Sequence, residues 1–284
     1  MQKTILVLGA TGMLGAPVAR RLKADGFEVR LLARDVAKAQ AMFGDGYTFF
    51  EGDVTDCASL ELASEGCHGV HISIGGASEY RSAENVSNQA PRLGIEQITY
   101  VSGSTVREEN DGYPMVHQKL MAESAIQECG VPYTIFCPTW PMEQLPRFVR
   151  DGRAMLIGDL PAAYHWFAAD DFAAMVSNAF QREAAANKRL YVHGPEAITM
   201  KAALERYCKT LHPEIKGVSA MPLFLAKVMA SVTGNQMLKF AADLMAYFKQ
   251  VGEPGDPTEA NQILGAPTTT LDAWIAQRKQ PVTA

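Results

Sequence analysis

Short apolar runs and helical stripes alternate along the first half of the chain. Residues 4–10, TILVLGA, form an unbroken β-branched and aliphatic run, as a parallel strand covered on both faces requires. The segment MLGAPVARRLKADG then places Leu14, Val18 and Leu22 on one helical stripe, which Gly26 ends. EVRLLAR (28–34) predicts a second strand, and Asp35 is placed to cap the helix VAKAQAMF. YTFFEGDV, GVHISIG (69–75), ITYVSGS (98–104) and PYTIFCP (132–138) predict four more strands, with a helix over about 115–129 that stops at Gly130. Strands separated by helices imply right-handed crossovers and a sheet covered on both faces.

After Pro138 the pattern loses its regularity. A helix is expected from near Asp170, a seventh strand at RLYVHG (189–194), and mostly helix beyond, interrupted by the turn-rich GEPGDPTEAN. The expected class is α/β: a Rossmann-type doubly wound parallel sheet with a smaller, mostly helical C-terminal region. The reading places a nucleotide-binding core at 1–140. Residues 141–284 are expected to pack over the carboxyl ends of the strands, where such sheets bind ligands, within a single structural unit.

Composition changes this picture little. The chain has 284 residues, 48% apolar and 20% charged. A net charge of −5 excludes a general nucleic-acid binder, which needs a basic face to displace counterions. No segment reaches the ~20 apolar residues of a membrane helix, and the N-terminal apolar run is too short for a signal peptide. Five cysteines without metal-ligand spacing read as reduced thiols in a cytoplasmic protein, and no metal site is expected.

The chemistry concentrates in GATGMLG, which sets Gly9, Gly12 and Gly15 between the first strand and first helix. Gly9 permits a tight turn, Gly12 a close approach of phosphate to backbone, and Gly15 close packing of helix on strand. The helix N-terminus offers free N–H groups and partial positive charge to a pyrophosphate, so Thr11, Met13 and Leu14 join the candidate cofactor contacts. An NAD site usually carries an acidic residue ~20 positions on, for the ribose 2′-OH. Here Arg34 stands there, with Lys38 one helical turn further, and a 2′-phosphate suits an arginine. NADP(H) is therefore the expected cofactor. Asp53, with Val54 beside it, either meets the adenine edge or caps the following turn, and Gly75 ends the fourth strand at the same side of the sheet.

With GATGMLG, LLARD, EGDVTD, ITYVSGSTV, QKLMAESAIQECGVPYTIFCP and HWFAADDFAAMV in place, the chain resembles an atypical short-chain dehydrogenase/reductase of the NmrA-like NAD(P)-binding group. The resemblance implies a Ser, a Tyr and a Lys beside the nicotinamide. Ser104 matches the Ser, with Ser102 the second candidate, and Lys119 matches the Lys, as a cofactor contact and candidate proton donor. The Tyr position, four before the Lys, holds Met115. Tyr113 precedes Lys119 by six, about 240° around a helix, but Pro114 disfavours helical geometry before it and leaves Tyr113 in a loop. Tyr113 is the remaining candidate acid, while Met115 reads best as packing. Lys119 has a plainer alternative, an i, i+4 pair with Glu123. The resemblance also puts Pro138, Thr139 and Trp140 against the nicotinamide carboxamide, though Trp140 equally suits a core.

Two functions follow. One is an NADPH-dependent reductase of a small electrophilic substrate, with quinones or enones favoured because they tolerate the missing acid. The other is a non-catalytic NADP(H)-binding sensor that acts on a regulatory protein partner. A small molecule is the expected substrate, with no direct nucleic-acid or membrane contact. The Met-rich segment 221–248, with Met229, Met237 and Met245, reads as core, as pocket lining or as a homodimer face.

Overall fold

A computed structural model describes residues 2–279. Its first elements run β1 (Thr4–Leu8), α1 (Gly15–Ala24), β2 (Glu28–Ala33), α2 (Val36–Phe43), β3 (Thr48–Glu51), α3 (Cys57–Ser64), β4 (Gly69–Ile72), α4 (Glu79–Gln89), β5 (Gln97–Val101), α5 (Pro114–Glu128) and β6 (Tyr133–Pro138). Then follow β7 (Val149–Arg150), β8 (Arg153–Ile157), β9 (Ala163–Trp166), α6 (Ala169–Ala179), β10 (Lys188–Val192), β11 (Glu196–Thr199), α7 (Met200–Leu211), β12 (Val218–Met221), α8 (Leu223–Thr233), α9 (Gln236–Val251), α10 (Thr258–Leu264) and α11 (Leu271–Lys279).

The chain divides into two compact units. The first holds everything up to Pro138, then Ala169–Val192 and Asp256–Pro267; the second holds Thr139–Ala168, His193–Gly255 and the chain from Thr268. The first unit thus takes back α6, β10 and α10 from the later half of the sequence.

The first unit is built on a seven-stranded sheet of order β10-β6-β5-β4-β1-β2-β3, with all pairings parallel. The Rossmann-type α/β class read from the sequence is the class observed. Leu6, Leu8, Ile72, Ile98, Tyr100 and Ile135 are fully buried in one core cluster of this sheet. Each such side chain contributes about 1.5–3 kcal/mol relative to exposure. The strand order reverses between β1 and β4, which makes the carboxyl ends of these two strands the switch point at which open α/β sheets bind ligands.

The second unit contains a three-stranded sheet, β12-β8-β7, and a two-stranded one, β11-β9. Its core gathers Tyr164, Trp166, Met200, Leu204 and Trp274. Trp166 donates its indole N–H to the Ile198 carbonyl (3.0 Å), joining β9 to β11 through a side chain as well as the ladder. The expected helix over 221–248 is two helices. Gly234 adopts a left-handed φ of 66° and ends α8, and Asn235 opens α9 by accepting from the Leu238 N–H (3.0 Å). Of the three methionines there, Met245 is 6% exposed and belongs to the core, whereas Met229 and Met237 are 40% and 76% exposed.

Candidate functional site

The loop after β1 turns at Gly9, whose φ is +80°. A Cβ there would sit 2.2 Å from the Ser73 carbonyl oxygen, and one on Gly15 would sit 2.1 Å from the Gly9 oxygen. No side chain fits at either position. β1, the chain after β4 and the start of α1 are thereby brought into backbone contact, and Gly12 N–H closes the turn on the Gly9 oxygen (2.9 Å). Thr11 and Gly12 are exposed, Met13 and Leu14 half-buried.

The first turn of α1 has no side-chain cap and no acidic residue. Its neighbours are supplied otherwise. Asp35 caps α2 through the Lys38 N–H (2.9 Å), and Asp56 caps α3 through the Ser59 N–H (3.0 Å). Orphan N–H groups at a helix start are normally satisfied by such caps, by water or by a ligand. The Ala16 N–H already donates to the Gly12 oxygen (3.1 Å) and Pro17 has no N–H, so what lies open to an anion at the switch point of the sheet is the amides of the glycine loop before Ala16.

Arg34 follows β2 directly and is exposed, as is Lys38. Asp53 is held below the ordinary carboxylate range, first by hydrogen bonds from the Thr55 N–H (2.9 Å) and hydroxyl (2.7 Å), then by the charge of Arg34. Its carboxylate thus serves the turn after β3, the plainer of its two readings. Val54 packs against the core cluster and accepts from Asn85 (3.3 Å), and Gly75 is exposed beyond β4.

Lys119, on α5, points at a group that the sequence reading passed over. Its ammonium pairs with the Glu79 carboxylate and donates to the Val101 carbonyl oxygen (3.3 Å), and it lies 5.7 Å from the Tyr100 ring centroid. The Tyr100 hydroxyl donates to the same Glu79 oxygen (2.7 Å). The Lys119 side chain is 14% exposed and that of Glu79 only 2%. Burial first, and then the adjacent Glu79 charge, push the Tyr100 phenol well above its ordinary range, so it holds its proton at neutral pH. Glu79 lies forty positions upstream of Lys119 on another helix, and no local spacing signals the pair.

The i, i+4 alternative for Lys119 is not what forms. Glu123 instead accepts from Arg189 of β10 (2.8 Å) and from the Ser102 hydroxyl. Arg189 also donates to Tyr191 (3.0 Å), so Ser102 sits in a buried ionic network. Ser104 is likewise buried, and its N–H donates to the Pro138 carbonyl oxygen (3.0 Å), tying the ends of β5 and β6. Tyr113 is the N-cap of α5, in extended conformation (φ −94°, ψ 120°), with Pro114 opening the helix. It stands outside the helix, as the proline implies. His117 faces Asp111 (2.8 Å).

Thr139 and Trp140 belong to the second unit. Thr139 donates to the His165 carbonyl oxygen (2.5 Å). Trp140 is 8% exposed and packs on Tyr164, Trp166 and Phe248, so it is a core residue of that unit. Its indole N–H is buried without a hydrogen-bond partner among the described residues. The Glu253 carboxylate accepts from the His165 backbone N–H (2.8 Å) and lies 2.5 Å from its Nδ1, and the His165 ring stacks on His193 at 5.2 Å. These three are the trio of potential ligands found among the described residues, with ligand atoms within 4.8 Å of one another. All five cysteines are free, and no described helix is long and apolar enough to cross a membrane.

The sequence matches the model of the NmrA-like family over residues 1–275, and the chain belongs to that family. It is 29% identical over 212 residues to the (4-alkanoyl-5-oxo-2,5-dihydrofuran-3-yl)methyl phosphate reductase of Streptomyces griseus subsp. griseus, covering 73% of each chain. Its fold matches the NADPH-dependent quinone oxidoreductase of Escherichia coli, solved with NADPH, at a TM-score of 0.78 and 22% identity, covering 97% of this chain and 100% of the other. It also matches NmrA, a negative transcriptional regulator solved with NADP, at a TM-score of 0.69 and 18% identity, covering 96% and 94%.

Proposed function

We propose that this chain is an NADPH-dependent reductase of an electrophilic small molecule, an enone or a quinone. The observation that carries the reading is the uncapped start of α1, framed by Gly9 and Gly15 at the sheet's switch point, with Arg34 exposed at the end of the adjacent β2. The loop amides at Thr11 to Leu14 bind the pyrophosphate of NADP(H), and Arg34 takes the 2′-phosphate that distinguishes it from NAD(H). The bound nicotinamide supplies a hydride.

The remaining residues decide which acceptor suits the site. Met115 stands where a Tyr-x-x-x-Lys acid would be, and Lys119 is paired with Glu79. Tyr100 keeps its proton on the same carboxylate. A simple ketone needs a positioned acid as its oxygen gains charge. An enone or quinone spreads that charge over a conjugated system and takes its proton from water. Ser104, three residues beyond β5, is the group assigned to the acceptor oxygen. The Streptomyces relative supports the enone side, since the dihydrofuranone in its name carries a ring double bond conjugated with a carbonyl.

The same commitment of Lys119 favours a second reading, an NADP(H)-binding regulator without turnover. Mixing the protein with NADPH and a panel of benzoquinones and α,β-unsaturated ketones, and following the nicotinamide absorbance, separates the two. Oxidation above the no-enzyme rate is expected with at least one acceptor class. Tight NADPH binding with no oxidation by any acceptor supports the regulator.

A further inference from the structure

The second unit contains a cavity of about 660 Å³ that neither the glycine loop nor Lys119 explains. It lies between the β7–β8 hairpin and the first turns of α9. Its volume falls inside the roughly 300–1,000 Å³ range of small-molecule sites. One wall is aliphatic: Met155 of β8 and Met237 and Met245 of α9 face into it. Methionine is the side chain best able to conform to flexible chains. The other wall is cationic, formed by Arg147, Arg150 and Arg153.

The arginines are placed in an unfavourable way for an empty site. Arg150 and Arg153 are direct partners across the antiparallel β7–β8 ladder. Like charges directly opposite each other destabilise a strand pair. The turn between them is as short as a hairpin allows: Asp151 (φ +50°) and Gly152 (φ +70°) both take left-handed conformations. Asp151 is the one acidic residue lining the cavity, against three arginines. Among the described residues, no salt bridge engages Arg147, Arg150 or Arg153, although the other surface arginines of this unit, Arg206 and Arg278, are paired with Asp272 and Glu143.

We infer that this cavity binds an anionic amphiphile, with the aliphatic chain against Met155, Met237 and Met245 and a carboxylate or phosphate head on Arg147, Arg150 and Arg153. An arginine pair held apart by two turn residues presents two guanidinium forks to one oxyanion, the geometry that favours bidentate recognition. The head relieves the repulsion across the hairpin, and the chain covers apolar surface that α9 leaves exposed. This inference stands apart from turnover, because binding is measured without NADPH.

Calorimetric titration tests it with three probes kept below micelle-forming concentrations: dodecanoate, dodecyl phosphate and 1-dodecanol. Dodecanoate or dodecyl phosphate is expected to bind, and dodecanol at least tenfold more weakly. The preferred anionic probe identifies the head as carboxylate or phosphate. Arg150→Gln and Arg153→Gln are each expected to weaken the anionic probes roughly tenfold, as loss of one charge-assisted hydrogen bond does. Both sites are exposed and each substitution removes one of two opposed charges, so these variants are expected to keep or slightly raise the wild-type thermal midpoint. Ala241→Phe, which fills the cavity from α9, is expected to abolish binding of all three. Equal binding of dodecanol and the anions, undiminished binding in the arginine variants, or no binding by any probe overturns the inference.

Discussion

Single residues set the proposed cofactor site. Gly15 is tightly constrained, because a methyl group there would overlap the Gly9 carbonyl. Gly15→Ala is expected to cost about 1–3 kcal/mol of stability, the usual range for overpacking, and to weaken NADPH binding. Chemical denaturation and a binding titration on the same preparation check both. In the proposed site Arg34 acts on selectivity. Arg34→Ala is expected to weaken NADPH by roughly tenfold or more while leaving NADH nearly unchanged, since a charge-assisted bond to the 2′-phosphate is worth about 1.5–3 kcal/mol. An unaltered NADPH preference would remove Arg34 from the site. The places of both residues in the fold were legible in the sequence because their cause is local: a strand, a turn and a helix start fix where they stand.

At the scale of elements, α5 shows where that legibility ends. Its proline start, its N-cap at Tyr113 and its end near Gly130 are written in adjacent residues. The partner of Lys119 is not, since it depends on how α4 lies against β5 and α5. Glu79 is nearly fully buried, so its charge relies on Lys119 and the Tyr100 hydroxyl. Lys119→Met is expected to cost about 3–5 kcal/mol by stranding a buried carboxylate. Glu79→Gln combined with Lys119→Met is expected to recover most of that loss, read in a double-mutant cycle of unfolding free energies. A Lys119→Met protein of wild-type stability but impaired NADPH binding would instead make Lys119 chiefly a cofactor contact. The second unit was harder to read for a related reason. β8 and β9 alternate buried and exposed positions over only five and four residues, too few for a period of two to stand out. The stop between α8 and α9 was present as Gly234-Asn235, a left-handed cap followed by an N-cap, inside what read as one Met-rich helical segment.

For the whole molecule, the parallel sheet carries an acid-sensitive centre. His71 of β4 is fully buried, bonded through Nδ1 to the Thr99 hydroxyl (2.8 Å), and its Nε2 has no partner among the described residues. Burial pulls its pKa down to about 3. The unfolded chain binds a proton near the ordinary value of about 6.5 and the folded chain does not, so stability is lost as pH falls from there toward 3. By pH 5 this one group lowers stability by about 2 kcal/mol, well before carboxylates such as Asp53 are protonated. His71→Leu is expected to flatten the thermal midpoint between pH 7 and 5, and an unchanged slope in that variant would assign the acid sensitivity to other groups.

The reductase reading meets its most direct test in the fate of the hydride. NADPH labelled with deuterium at the transferable position of the nicotinamide, incubated with the protein and an α,β-unsaturated ketone or a quinone, is analysed by mass spectrometry of the acceptor and the spent cofactor. With an enone, the reading predicts deuterium on carbon in the reduced product and matching NADP formation. With a quinone, whose hydroquinone can exchange the label, it predicts labelled NADPH consumed in equal amount to hydroquinone formed. NADPH bound but recovered intact, with every acceptor unchanged, would contradict it and leave the chain a nucleotide-binding regulator.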